Sequence, residues 1–376
     1  MKTELKTALA MGIILVVAIG GASAYFSSLE HQIVKTESQS DESIQTQSTD
    51  ELRMSPIDKS KFRKAPQLVG ISGYINTTPE KLEEAMKDKV ILYDFWTYSC
   101  INCIRTLPYI TAWDEKYADQ GLLIIGIHSP EFEFEKDFSN VQTAVKQHDI
   151  AYPVVQDNEM KTWKEFENKY WPRKYIADSE GYIRYDHIGE GGYAETEKVI
   201  QDLLQERSQL LGLNVASAQP LVDLEEHQFT AAQTPELYFG YNFAFGRNQF
   251  GNSEGFKPNQ IVTYSLPEKL TRDHFYLEGQ WQNFDDRMKL VSENGKIILP
   301  YFAKSVNIVA ANESELQILL DGKLVTTENV GIDVQDGMVH ISGDRLYNLI
   351  SSKDAGDHTL TIVAKPGFEI YTFTFG

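Results

Sequence analysis

The sequence predicts an α/β domain followed by an all-β sandwich, jelly-roll-like in its run of short strands, with a polar appendage in front. Three observations lead there. Between residues 89 and 210, runs rich in branched and aromatic residues alternate with segments whose apolar residues recur at helical spacing. From residue 222 that helical period fades, and short segments such as LVTT, MVHIS, HTLTIVA and EIYTFTF stand between DG, SGD and KPG turns. The first 65 residues follow neither pattern.

The appendage has two parts. Lys2 and Lys6 precede an uncharged apolar run over about residues 8–25, the composition of a segment that leaves the cytoplasm. The run nearly reaches the length that spans a bilayer, and the small residues at 22–24 resemble a cleavage site. Residues 1–26 are therefore read as a membrane anchor, with a cleaved signal peptide and a secreted protein as the alternative; both are extracytoplasmic. Residues 27–65 are rich in Ser, Gln, Thr, Glu and Asp and bury too little apolar surface to offset their ordering entropy, so they read as a disordered tether. The α/β domain then occupies 66–211, a linker 212–221, and the sandwich 222–376. A net charge of −19, from 54 acids against 35 bases in 376 residues, repels nucleic acid and anionic bilayers and excludes them as the main partner.

The two cysteines, Cys100 and Cys103, both lie in YDFWTYSCINCIRTLP. A bridge between them closes almost no loop and stabilises the fold little. A zinc site needs further ligands, and His128 and His187 stand at no metal-site spacing. Redox chemistry fits the surroundings better. The apolar segment KVILYDFW reads as a buried strand, and Ile104, Leu107, Ile110 and Tyr117 mark a helix that ends before Gly121. The pair is thus expected in the first helical turn, where unpaired N–H groups and the positive dipole end favour a thiolate on Cys100. Cys103, one turn further, is expected to face inward and to resolve the mixed disulfide.

The segments FWTYSCINCIRTLPYI, GIHSPEFEFEKD, YWPRKYIAD, IRYDHIGEGGYAETE and TPELYFGY, in this order, resemble the extracytoplasmic half of DipZ-type proteins. In these a TlpA-like thioredoxin domain precedes a β-sandwich similar to carbohydrate-binding modules, and the likeness covers about residues 70–376. It implies a thioredoxin-like sheet, with QLVGISGYI as an extra edge, and a thiol-disulfide oxidoreductase acting on protein substrates, more often as a reductant. The redox-active disulfide would be Cys100–Cys103, with neither a metal nor another cofactor. Pro172 would be cis and face the cysteines, exposing backbone to an extended substrate. Asp94 would be the buried acid beneath the disulfide, its pKa raised by desolvation so that it can take the Cys103 proton. Trp96 would pack on the cysteine turn, and Trp171 would line the groove. His128, Glu131 and Glu135 would edge the site, and Arg105 would supply a cation if it pointed back.

Full-length DipZ proteins carry a CcdA-type membrane domain before this region, whereas one apolar segment stands here, so the resemblance implies a separate CcdA-type electron donor. The aromatic stretch ELYFGYNFAFGRNQFGNSEGF suggests a platform for a cell-surface glycan, although core packing and a contact with the thioredoxin domain explain it as well. A thiol peroxidase, or a cell-surface binding module with a vestigial redox domain, is the rival reading.

Overall fold

The structure, a computed structural model, describes residues 58–213, 220–225, 227, 233–325 and 327–376. The expected anchor and most of the expected tether lie outside the described residues. Among the described residues, no helix is long and apolar enough to cross a membrane. The end of the tether needs correcting. Residues 59–65 pack on the first domain: the Ala65 N–H donates to the Gly181 carbonyl at 2.8 Å, and the Ile183 N–H to Arg63 at 2.9 Å. Lys59 reaches Asp178 at 3.0 Å and Glu206 at 2.8 Å. Composition alone missed this because the lysines there read as solvated, while their acidic partners lie more than a hundred residues away.

The first domain runs β1 (Gly73–Ile75), α1 (Pro79–Ala85), β2 (Val90–Trp96), α2 (Ile101–Tyr117), β3 (Leu122–His128), α3 (Phe138–Gln147), β4 (Val154–Gln156), α4 (Lys161–Glu165), β5 (Arg173–Ala177), β6 (Ile183–Ile188) and α5 (Tyr193–Leu210). The sheet order is β1-β4-β3-β2-β5-β6, with β2, β3 and β4 parallel and the pairs β1–β4, β2–β5 and β5–β6 antiparallel. This is the thioredoxin-like arrangement expected, with β1 as the extra edge. Every residue of β2 is buried, as a central strand covered on both faces requires. Its side chains alternate between two cores: Val90, Leu92 and Trp96 meet α2 and α5, and Ile91, Tyr93 and Phe95 meet the opposite layer.

One helix is shorter than its sequence pattern. Helical spacing runs over about 133–148, yet the chain breaks at Asp137, whose carboxylate caps the Ser139 and Asn140 N–H groups at 2.8 and 3.3 Å. Residues 133–136 form a separate 3-10 turn that carries Glu135 inward.

The second domain is all antiparallel: β7 (Leu237–Tyr238), β8 (Ile261–Tyr264), β9 (Tyr276–Asn283), β10 (Met288–Leu290), β11 (Gly295–Ala311), β12 (Ser314–Leu320), β13 (Lys323–Leu324), β14 (Met338–Ile341), β15 (Arg345–Ala364) and β16 (Glu369–Phe375). Two strands are far longer than the short segments the sequence suggested, β11 with 17 residues and β15 with 20. The β11–β15 register shifts at Ala303/Ser305 and Val306/Asn307, with the extra residues on β15. The first half of β11 pairs with β9 and its second with β16, and β10 joins those two, so the sheet closes around one core containing Trp281, Tyr301 and Tyr347.

The aromatic stretch has divided work. Phe239 and Phe250 enter that core, whereas Tyr238 and Phe243 pack with Phe132 of the first domain. Phe245 is left 89% exposed. The two domains form one compact unit, Lys59–Gly376. Phe132 and Phe134 meet Tyr371 at ring distances of 5.0 and 4.8 Å. Between the domains, residues 220–225 lie along α2 and α5, with the Tyr109 hydroxyl donating to the Leu224 carbonyl at 2.8 Å and the Val222 N–H to Glu197 at 2.7 Å.

Gly240 follows the strand that joins the aromatic stretch to β16, and a Cβ there would run into the backbone of Asp285 and Asp286. Gly240→Ala is expected to lower stability by about 1–3 kcal/mol through overpacking, read as an earlier urea midpoint.

Candidate redox site

Strand β2 delivers the chain into a tight turn, closed by the Cys100 N–H donating to the Thr97 carbonyl at 3.3 Å, and α2 begins at once. Cys100 is the N-cap residue, and its Sγ accepts the Cys103 N–H at 3.2 Å. Both cysteines are free thiols; Cys100 retains an exposed edge and Cys103 is wholly buried one turn along. The helix start therefore leaves Cys100 at the edge of the surface and holds Cys103 behind it.

What surrounds Cys100 works against the expected thiolate. The helix-terminal N–H does favour the anion, but burial pushes the thiol well up, helped by the neighbouring Cys103 and by the Glu236 carboxylate of the β domain. Glu236 lies far along the chain, so its approach to Cys100 was not readable from spacing. The hoped-for cation is engaged elsewhere, since the Arg105 guanidinium pairs with Glu190 at 3.3 Å.

The turn before Cys100 is held by Glu135. Its buried carboxylate accepts the Ser99 hydroxyl at 2.5 Å and the N–H groups of Ser99, Glu131 and Phe132 at 3.4, 2.6 and 2.9 Å. His128 meets the same turn through its Nε2, 3.3 Å from the Thr97 hydroxyl. It is buried edge-on to Trp96 at 5.3 Å and stacked on Tyr98 at 5.6 Å, and burial pushes its pKa down to about 3, so it stays neutral. Trp96 itself is fully buried in the core that contains Cys103.

By strand alternation Asp94 points to the same face as Leu92 and Trp96, the face covered by α2 and Cys103. Directly opposite on β5 stands Lys174. Both are buried, and neither the Asp94 carboxylate nor the Lys174 Nζ has a hydrogen-bond partner among the described residues. Burial raises the Asp94 pKa to about 6, against the pull of Lys174, and lowers that of Lys174. Lys174 escaped the sequence reading because only the β2–β5 register reveals which residue faces Asp94.

The Trp171–Pro172 peptide bond is cis, in the segment leading into β5, the strand beside β2. Trp171 donates its indole N–H to the Ser129 carbonyl at 2.9 Å and lies 4.2 Å from Trp163. Beyond Trp163 a cleft of about 850 Å3 opens between the domains, with Pro130 and Phe132 on one wall and Phe243 and Arg287 on the other. A separate carboxylate cluster, Asp178, Glu180 and Glu206, has the spacing of a cation site. Lys59 and Arg184 lie among these acids, Arg184 at 3.0 Å from Asp178 and 2.9 Å from Glu206, and neutralise them as an ion-pair network.

A carboxyl that ionises less readily in the native state than in the unfolded chain makes the native state the more protonated one, so stability falls as pH rises from about 4 to 6 and stays lowered above. For Asp94 that loss is ~3 kcal/mol. Asp94→Asn is expected to recover part of it at pH 8, seen as a higher melting temperature. The same variant should slow resolution of a mixed disulfide about tenfold and remove an inflection near pH 6 from its rate profile, both read by stopped-flow release of a labelled thiol.

Comparison with known proteins assigns this arrangement. Residues 64–186 match the AhpC/TSA family and residues 234–376 match the thioredoxin like C-terminal domain. Protein DipZ of Mycobacterium tuberculosis is 34% identical over 314 residues, 83% of this chain and 43% of DipZ, so the chain spans less than half the length of that relative. Thiol-disulfide oxidoreductase YkuV of Bacillus subtilis is 30% identical over 141 residues, which cover 38% of this chain and 94% of YkuV. The solution structure of a thioredoxin-like protein in the oxidized form is 29% identical, covering 39% of this chain and 97% of its own, with a TM-score of 0.35 that carries no weight for the fold. With its two thiols at a strand-to-helix turn, and a relative matched nearly end to end, the chain belongs to the thioredoxin-fold thiol-disulfide oxidoreductase family and is a homologue of DipZ.

Proposed function

We propose that the chain is an extracytoplasmic thiol-disulfide oxidoreductase that reduces disulfides in protein substrates, held at the membrane by its N-terminal apolar segment. The observation that carries the reading is the pair itself: an accessible Cys100 at the helix start with Cys103 buried one turn behind. In the forward half-reaction Cys100 loses its proton and attacks a substrate sulfur; the substrate disulfide breaks, and the departing thiolate takes up a proton. Cys103 then gives its proton to Asp94 and attacks Cys100. The mixed disulfide breaks, the second substrate thiolate is released and protonated, and the Cys100–Cys103 bridge holds the two electrons' oxidation. The proposed groove for an extended substrate runs beside Trp171, whose indole packs on Trp163 at the edge of the cleft between the domains.

The reducing direction has a physical support. A dithiol becomes a strong oxidant when its thiolate is stabilised, and at Cys100 burial and a nearby carboxylate work against the thiolate. The bridge is then the favoured state, and the protein gives electrons away. A CcdA-type membrane protein is the proposed donor that restores the dithiol. Glycan binding by the β domain rests on less, because most aromatics of the expected platform are committed to core or interface and Phe245 alone among them is fully exposed.

Cys103→Ser is expected to accumulate mixed disulfides through Cys100 in cells, identified by diagonal electrophoresis and mass spectrometry, and Cys100→Ser to capture none. Purified wild type should reduce insulin in the presence of a thiol donor, with both variants at background. Rapid consumption of hydrogen peroxide by the reduced protein without disulfide reduction would instead establish the peroxidase reading.

A further inference from the structure

Three groups from two domains meet beside the cysteine turn. Glu131 follows β3 in the first domain, and Glu236 and Tyr238 belong to the segment that opens the β domain. The Tyr238 hydroxyl lies 2.9 Å from a Glu131 oxygen and 3.1 Å from a Glu236 oxygen, so one phenol bridges two carboxyl groups across the domain boundary. A hydroxyl has one proton to donate, so two carboxylates cannot both be served by it, and a second proton held on one of the acids completes the bridge. The arrangement is tied to the nucleophile by a continuous path. The Glu131 N–H donates to Glu135, and Glu135 accepts the hydroxyl of Ser99, the residue preceding Cys100. Tyr238 is buried and packed against Phe243, with the Arg247 guanidinium over its ring at 4.6 Å.

We propose that Glu131, Tyr238 and Glu236 form an acid-base element of the redox site, built half from each domain, whose negative charge beside Cys100 holds the thiol protonated until the charge is removed. Glu131 and Glu236 are positioning residues here: they act on the reacting sulfur through its field and its turn. The inference deepens the redox reading given above and rests on it.

The cleft that Glu131 lines also carries Glu133, Lys136, Asp285, Asp286 and Arg287. Glu135 approaches from the first domain, Arg247 from the β domain, and Cys100 from the start of α2. Both acids keep a partly exposed edge by area, yet the packed surroundings of their carboxyls and the second acid beside each raise both, Glu131 to about 8. Glu131 therefore holds its proton below about 8, and above that the pair gains a negative charge. More charge beside Cys100 opposes its ionisation, so the thiol's reactivity should climb with pH less steeply than a lone thiol's.

The test is alkylation of Cys100 by iodoacetamide in the full chain, reduced, from pH 5 to 10, with Cys103 modification scored separately by mass spectrometry. Glu236→Gln is expected to speed alkylation at pH 7 by 3–10-fold and to shift the profile to lower pH. Glu131→Gln is expected to steepen the profile to that of a single ionisation, and it carries the test if Glu236→Gln fails to fold. Profiles of both folded variants that superpose on wild type overturn the proposal, as does an unchanged profile in whichever one folds. Insulin reduction by wild type is measured in parallel. If wild type reduces insulin and the variants' alkylation is unchanged, the element is refuted and the redox reading stands. If wild type does not reduce insulin, the redox reading falls, and with it the proposed place of the element in that chemistry.

Discussion

The four hydrogen bonds accepted by the buried Glu135 carboxylate tie three parts of the molecule together. Ser99 places one end on the turn that presents Cys100, and the Glu131 and Phe132 N–H groups place the other on the loop after β3. A buried carboxylate is costly unless it is well supplied with donors, and hydrogen bonds to a charged group contribute about 1.5–3 kcal/mol each. The consequences spread outward from this anchor. Drawing Glu135 inward uses the turn that would have extended α3, which then starts afresh from Asp137. It also sets Phe132 and Phe134 against Tyr371, the contact on which the β domain sits.

Low dielectric around the site explains why its titrating groups sit so far from their ordinary values. Asp94 and Lys174 face each other across two strands without meeting in a hydrogen bond, and each is pushed by burial toward its neutral form. His128 is neutral for the same reason. The same desolvation overrides the helix terminus at Cys100, which alone would have favoured a thiolate. Burial thus raises the Asp94 carboxyl and opposes a thiolate on Cys100, so the two effects have one physical source.

The β domain is more than an appendage to this site. Its long strand β11 closes the sheet around a core of its own, which leaves a separate set of aromatics, Tyr238, Phe243 and Tyr371, free to face the first domain. Most residues that looked like a glycan platform are explained by these two duties. Through Glu236 and Tyr238 the same surface brings a carboxyl and a phenol to Glu131, on the loop that Glu135 ties to the cysteine turn.

Much of this was legible in the linear text. Cysteines three apart at a strand-to-helix junction, the alternation of strand and helix, the fading of helical period after residue 222, and Asp94 in an apolar strand are local signals, because they follow from spacing and from the cost of burying a charge. What the sequence by itself determined is the order of elements and the place of the two thiols. Tertiary structure decided the rest: that Lys59 folds back onto Asp178, that Lys174 stands opposite Asp94, that β15 runs unbroken for 20 residues, and that Glu236 comes to Cys100 from 136 positions away. Strand register, the pairing of long strands and the electrostatic field at a buried sulfur each depend on which distant groups share a small volume, and one-dimensional spacing carries no record of that.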